Sequence, residues 1–236
     1  MEKSKNDKTN VALLGCGRTG KVIIDSILED PVYELDFICR LHHKPYKSCR
    51  VIHPDSLKET TEADTPDVLV DFTNHKATIE NLERIPSGSR VVLGTTGFSY
   101  KELETLKYYG QHLKLLYAPN ISDGINVLLK ACKLIRSLMP TADIVVMDEH
   151  FKGKKDAPSG TGKRIAEELG VKHPISVRAG GIVGVHKVMF VTGNQQITIE
   201  HMSFSRQVFA DATKRAIEWI SKVEENGFYD VTEVYQ

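Results

Sequence analysis

The chain has 236 residues, with 31 Lys+Arg balancing 31 Asp+Glu for a formal net charge of zero. That balance argues against general binding to nucleic acid or a membrane surface, which draws on a basic excess. No apolar run approaches the roughly 20 residues of a membrane span, and the length suits one large domain or two small ones with real cores.

The first ten residues, MEKSKNDKTN, are polar, lack the apolar centre of a signal peptide and read as a short disordered lead-in. The four cysteines (Cys16, Cys39, Cys49, Cys132) show no C-x-x-C pairing and no disulfide-scaffold density, so they read as reduced thiols in a cytoplasmic protein without a bound metal. Val11–Leu14 is an apolar run that ends in Gly15-Cys16-Gly17-Arg18-Thr19-Gly20, and KVIIDSILED follows with apolar residues at helical spacing. Strand, glycine turn and helix form the context that a G-x-G-x-x-G match requires. The first glycine permits the tight turn, the second lets backbone approach a pyrophosphate, and the third lets helix pack on strand.

A second strand spans Tyr33–Cys39 and runs into Arg40, Leu41, His42, His43 and Lys44. A carboxylate at this point would accept hydrogen bonds from the adenosine ribose of NAD; positive charge suits a 2′-phosphate better. The expected cofactor is therefore NADPH, NADH, or both, with a lean to NADPH, although a plain basic surface turn has the same composition. Asp67–Phe72, Arg90–Leu93 and Lys114–Tyr117 read as buried parallel strands, with helices over ATIENLERI and YKELETLKYYG between them. Their carboxyl ends run into Thr73-Asn74-His75, Gly94-Thr95-Thr96-Gly97 and Ala118-Pro119-Asn120-Ile121-Ser122. Open α/β sheets gather ligands at such ends.

From Asp123 the pattern changes. GINVLLKACKLIRSLM predicts an amphipathic helix with Asp123 in its cap region, and Asp143–Met147 predicts a strand. Val185–Val191 and Gln196–Phe204 flank a hairpin turn at Thr192–Gln195. FADATKRAIEWISKV is a helix suited to dock on the first domain, with the tail FYDVTEVYQ packing beside it. The fold class is α/β: a Rossmann-type parallel-sheet domain over residues 1–121, completed by the C-terminal helix region 207–236. A second, α+β domain over 122–206, for substrate binding and oligomerisation, carries a mixed or antiparallel sheet.

Within that second domain, DEHFKGKKDAPSGTGKRIAEEL places a histidine, three lysines and two aspartates ahead of a helix start, with a fourth lysine just inside it. A lysine cluster alone is more often a solvated basic loop; the other reading is an anion pocket on which the helix start and the lysines converge. Ser159 reads as an N-cap, with no neighbour that would make it a nucleophile. Asp156 reads as a loop-holding hydrogen-bond acceptor, and Lys155 and Lys163 as a solvated face.

The blocks GCGRTG (15–20), VDFT (70–73), GTTGFS (94–99), APNIS (118–122), DEHFKGKKDAPSGTG (148–162), RAGGIVGVH (178–186) and SFSR (203–206) together resemble the 4-hydroxy-tetrahydrodipicolinate reductase (dihydrodipicolinate reductase) family of lysine and diaminopimelate synthesis. The resemblance runs from Val11 to about Trp219. It implies an NAD(P)H-dependent oxidoreductase that delivers hydride to ring C4 of a cyclic, unsaturated dicarboxylic imine, with a proton added at C3. It further implies catalytic roles for His150 and Lys154, and a grip on a substrate carboxylate by Gly160 and Thr161, with Thr96 near the substrate. Cofactor contacts carry over to Gly15, Cys16, Gly17, Arg18, Thr19, Gly20, Arg40, Gly94, Thr95, Thr96, Ala118, Pro119, Asn120 and Ile121, and Phe72 and Thr73 would line the same crevice. A homotetramer through second-domain sheets and closure by a hinge near Ile121 and Ser205 are likewise expected.

Three departures from the family pattern stand out. Phe151 occupies the place of a second histidine that contacts substrate, the glycine loop is one residue shorter, and the segment 171–177 is brief. Two other readings stay open: a same-fold oxidoreductase acting on another imine or amino acid, and a non-catalytic NADP-sensing protein.

Overall fold

The computed structural model describes residues 8–42, 44–59 and 65–235. Residues 1–7 of the expected lead-in and His43 lie outside this set. In chain order the elements open with β1 (Thr9–Leu14), α1 (Arg18–Glu29), β2 (Tyr33–Cys39), β3 (Val51–Ile52) and a 3-10 turn at Pro54–Glu59. There follow β4 (Val68–Asp71), α2 (His75–Leu82), β5 (Arg90–Leu93), α3 (Tyr100–Gly110), β6 (Lys114–Tyr117) and α4 (Asp123–Leu138). The chain continues through β7 (Asp143–His150), α5 (Gly160–Glu168), β8 (Ile175–Arg178), β9 (Gly184–Val191) and β10 (Gln196–Ser203). It ends with α6 (Gln207–Ile220), β11 (Gly227–Asp230) and a 3-10 turn. Two compact units result, one over 1–121 with 209–234 and the other over 122–208. Among the described residues no helix is long and apolar enough to cross a membrane.

The first unit holds a seven-stranded sheet in the order β11-β6-β5-β4-β1-β2-β3, with every neighbouring pair parallel. Parallel strands are covered on both faces, which is why β1 reads as the unbroken apolar run Val11-Ala12-Leu13-Leu14, all fully buried. Helix α1 buries Gly20, Ile23, Ile24 and Ile27, one stripe at helical spacing. From β1 the chain moves first to β2 on one side and later to β4 on the other. That reversal is the switch point at which the carboxyl ends of the strands open a crevice.

Helix α6 joins this unit: Lys214 pairs with Asp30 at 3.2 Å, and the Tyr33 hydroxyl lies 3.4 Å from Glu218. The tail lies beside that helix as expected, the Trp219 and Tyr229 rings meeting edge-on with centroids 5.5 Å apart. Residues 227–230 form the edge strand β11, in register with 114–117 of β6. A Cβ on Gly110 would lie 2.8 Å from the Cβ of Phe228, so that glycine lets α3 and the tail meet.

The second unit is a four-stranded mixed sheet, β10-β9-β7-β8, with β8 parallel to β7 and the rest antiparallel. Ile125, Leu128, Leu129 and Cys132 of α4, with Ile165 of α5 and Leu169 just beyond its end, pack on Val146, Val188 and Phe190. Alternation along the strands turns Val145, Met147 and Met189 to the opposite face, where they are only half-buried. The expected strand at Asp143–Met147 runs on to His150, and β8 occupies the brief segment for which the sequence suggested only a connection.

Candidate active site

In the first unit, the predicted cofactor residues gather at the carboxyl ends of β1, β2, β4, β5 and β6. Gly15 has φ of +94°, and a Cβ there would lie 2.7 Å from the Phe72 carbonyl oxygen. A Cβ on Gly20 would lie 2.7 Å from the Gly15 carbonyl oxygen, so helix and turn touch through both glycines. Gly17 is the N-cap of α1, exposed, with no side-chain cap and open space where a Cβ would stand. Cys16 and Thr19 are half-buried and Arg18 is exposed. An uncapped helix N-terminus behind a glycine turn has the donors and the room for a pyrophosphate. Arg40 continues from β2, its guanidinium donating to the Lys44 carbonyl at 3.2 Å.

Backbone bonds ladder the strand ends: Gly15 N to Cys39 O, Phe72 N to Leu14 O, Gly94 N to Asp71 O and Ala118 N to Leu93 O, at 2.8–2.9 Å. The buried Asp71 carboxylate ties two of these turns. Its Oδ1 accepts from Thr73 N at 2.8 Å, the Thr73 hydroxyl at 2.6 Å and the Thr95 hydroxyl at 2.9 Å. Burial pushes the Asp71 carboxyl up, and those donors work against the shift. Gly94 lies against Phe72, where a Cβ would stand 2.3 Å from the ring. Thr96 is exposed beyond Thr95; Ala118 and Ile121 are buried, and Pro119 and Asn120 half-buried, at the end of β6.

In the second unit, His150, Lys154, Gly160 and Thr161 follow one another along the end of β7, the loop and the start of α5. Residues two apart on a strand share a face, so Asp148 and His150 project together. His150 Nδ1 lies 2.9 Å from Asp148 Oδ2. The neighbouring strand supplies Ser176 opposite Asp148 and Arg178 opposite His150. The Ser176 hydroxyl donates to Asp148 Oδ1 at 2.6 Å, and Arg178 Nη2 reaches Oδ2 at 3.1 Å. Burial alone would raise the Asp148 carboxyl; Ser176, Arg178, the Ser159 N–H and His150 outweigh it and hold it below the usual carboxylate range.

Lys154 pairs with Asp156 at 2.9 Å, the loop-holding role that the sequence suggested for this aspartate. Ser159 caps α5 by accepting from Gly162 N at 3.0 Å, also as expected. Gly160 is exposed and Thr161 half-buried in the first turn, at the end of the helix that attracts anions. Lys152, Lys155 and Lys163 are exposed.

Models of the two halves of dihydrodipicolinate reductase match the chain, the N-terminal one over residues 9–121 and the C-terminal one over 124–235. The chain belongs to the dihydrodipicolinate reductase family. It is an oxidoreductase. A 4-hydroxy-tetrahydrodipicolinate reductase of Bdellovibrio bacteriovorus is 32% identical over 235 residues, covering 96% of each chain. One from Methanosarcina acetivorans is 32% identical over 259 residues, covering 95% of this chain and 98% of the relative. Among solved structures, a dipicolinate-bound dihydrodipicolinate reductase from Paenisporosarcina sp. TG-14 superposes with a TM-score of 0.78 at 22% identity, over 94% of this chain and 98% of that one. A Corynebacterium glutamicum DAP dehydrogenase gives 0.61 at 10% identity, over 96% and 93%. Both structural likenesses speak to the fold.

The chain also holds polar residues to which the sequence analysis assigned no role, although all but His201 lie in blocks noted there: Asp71, Asp148, Arg178, His186 and His201. Asp148 faces His186 across β9, which in turn faces His201 across β10, a polar row beneath the helices. The ring centroids of His150 and His186 are 5.3 Å apart, and those of His186 and His201 are 6.4 Å apart. Nδ1 of His186 is buried and makes no hydrogen bond among the described residues. Burial, with His150 second, pushes His186 down to about 3, while burial also lowers His150 and His201.

A folded-state value below the unfolded one means that acid favours the unfolded chain. The contribution of neutral His186 is intact above its ordinary value of 6.5 and is lost as pH falls from there toward about 3. At pH 5 the cost is up to about 2 kcal/mol. Melting curves from pH 8 to 5 are expected to show a falling Tm, and His186→Gln is expected to flatten that fall. An unchanged slope in the variant would assign the acid sensitivity elsewhere.

Proposed function

We propose that this chain reduces 4-hydroxy-tetrahydrodipicolinate, by way of dihydrodipicolinate, to tetrahydrodipicolinate at the expense of NADPH or NADH. The observation that carries the reading is the run from His150 to Thr161: a buried imidazole, an ammonium held on a short loop, and a helix N-terminus succeed one another. A cyclic dicarboxylate asks for these groups, a proton donor and donors for carboxylate oxygens. The names of the relatives support the same substrate.

In this reading the first unit holds the dinucleotide, with the pyrophosphate on residues 15–20, and the turns at 94–96 and 118–121 beside the nicotinamide ribose. Bound there, the reduced nicotinamide supplies a hydride for ring C4. Arg40, paired among the described residues to the Lys44 backbone carbonyl, meets a 2′-phosphate and favours NADPH. In the second unit, Gly160 and Thr161 bind a carboxylate and Lys154 offsets the negative charge of the ring system. His150, charged by a proton on Nε2, protonates C3 with Lys154 assisting. The desolvated position that lowers its proton affinity also makes it a stronger acid once charged.

Phe151 supports one alternative, a related imine or amino-acid substrate, because a phenyl ring gives a carboxylate no hydrogen bond. A non-catalytic NADP sensor would have no use for His150 and Lys154 together. The half-buried Val145, Met147 and Met189 face supports a homo-oligomer, a tetramer by family resemblance, which sedimentation would read directly. The free thiols of all four cysteines suit a cytoplasmic enzyme.

The test is turnover of freshly generated 4-hydroxy-tetrahydrodipicolinate, followed by cofactor absorbance with NADPH and NADH in parallel. Rapid oxidation with a higher kcat/KM for NADPH is expected. A folded, cofactor-binding protein that leaves the dicarboxylate unreduced would overturn the reading.

A further inference from the structure

We propose that Asp148, clamped by Arg178, is the positioning residue that fixes the His150 imidazole with its proton on Nδ1 and joins it to the loop carrying Lys154. The inference rests on the reductase reading for its kinetic consequences, though its geometric content stands apart from any substrate.

The argument begins with the donors on one carboxylate. Asp148 is fully buried. Its Oδ2 takes the His150 Nδ1 at 2.9 Å, Arg178 Nη2 at 3.1 Å and the Ser159 N–H at 3.3 Å, while Oδ1 takes the Ser176 hydroxyl at 2.6 Å. A buried, ionised carboxylate accepts and does not donate, so the imidazole Nδ1 must carry the proton. Nε2 is thereby the nitrogen that gains or gives the transferable proton. Gly184 lies beside it: a Cβ there would stand 3.3 Å from Nε2, and the glycine leaves that approach open.

Arg178 extends the connection. The same Nη2 that meets Asp148 donates to the Asp156 carbonyl at 2.6 Å, and Nη1 donates to the Val177 carbonyl at 2.7 Å. The Asp156 carboxylate in turn holds Lys154. One continuous chain therefore runs from His150 through Asp148, Arg178 and Asp156 to Lys154. The Ser159 N–H adds the first residue before α5 to the same carboxylate, and Gly162 lets that helix approach, since a Cβ there would lie 3.0 Å from the Asp148 Cβ.

The proton accounting is simple. Charged His150 gives the Nε2 proton to the substrate carbon as hydride arrives from the cofactor, and it ends neutral with the Nδ1–H still on Asp148. Asp148 stays ionised throughout and takes no proton. The charged and titratable groups facing His150 are Asp148 on its own strand, Arg178 on β8, His186 on β9 and Lys154 on the loop. Asp148 is the one anion among them, so its removal must lower the affinity of the ring for a proton.

Two measurements test this. Imidazole nitrogen NMR of the wild-type protein, assigned with His150→Gln, is expected to show neutral His150 protonated at Nδ1. Asp148→Asn is expected to lower kcat about 10- to 100-fold at near-constant KM and to move the alkaline limb of the kcat profile to lower pH, with Asp148→Glu recovering part of the rate. An Nε2-protonated ring in the wild type would overturn the proposal, as would an unmoved alkaline limb in a folded Asp148→Asn protein. Should that variant not fold, the wild-type spectrum decides alone. Should the wild type leave the dicarboxylate unreduced, the reductase reading falls and the tautomer still judges the positioning role.

Discussion

His150→Gln is expected to lower kcat for dicarboxylate reduction by about 10²–10⁴-fold, the range that a positioned proton donor supplies. Glutamine keeps much of the volume, but it has no proton to give near neutral pH. Lys154→Ala should cost about as much, through lost charge stabilisation beside the developing enamine carbon. The two losses should not add, because the residues share the chain through Asp148, Arg178 and Asp156. Fluorescence titration with NADPH should give an unchanged Kd in both variants, since these side chains belong to the second unit. Turnover within threefold of wild type in a correctly folded His150→Gln protein would remove the histidine from the chemistry.

Gly15→Ala is expected to damage the other half of the reaction. At φ of +94° a Cβ is strained on its own account, and here it would also press to 2.7 Å from the Phe72 carbonyl oxygen and 3.1 Å from Thr73 Cγ2. The strain amounts to about 1–3 kcal/mol, a loss in Tm of order 5 °C. Relief requires the turn after β4 to move, and with it the Asp71–Thr95 tie that holds the next turn. NADPH should therefore bind at least tenfold more weakly, while Gly17→Ala, with open space around it, should leave Tm nearly unchanged. Equal melting curves and equal NADPH affinity for wild type and Gly15→Ala would show that the turn yields without cost.

The parallel strands were legible because burial on both faces leaves short apolar runs bounded by turn residues. Tyr33–Cys39, Arg90–Leu93 and Lys114–Tyr117 have the expected limits. β7 outran its prediction for the opposite reason. Its last residues include Asp148 and His150, which look like surface residues in a sequence and are buried here by partners from β8 and β9. Hydrogen bonds across strands have no signature in local composition, so Arg178 and His186 remained unassigned although their motifs were noticed. β8 and β11 are four residues each, with no fully buried residue in either, and are too short for periodicity to register. The glycine turn and the Ser159 cap were readable because both depend on residues adjacent in the chain.

The pairing of residues 227–230 with 114–117 carries a consequence for biosynthesis. On the ribosome β6 emerges long before its partner, and at roughly 5–20 residues per second the interval is on the order of ten seconds. During that time Leu115 and Leu116 stand on an unfinished sheet border, a template for another nascent chain. The second unit is contiguous in sequence and completes itself within the same interval. The first unit is thus the earliest to begin and the last to close, and its sheet border stays open from the translation of Tyr117 to that of Gly227.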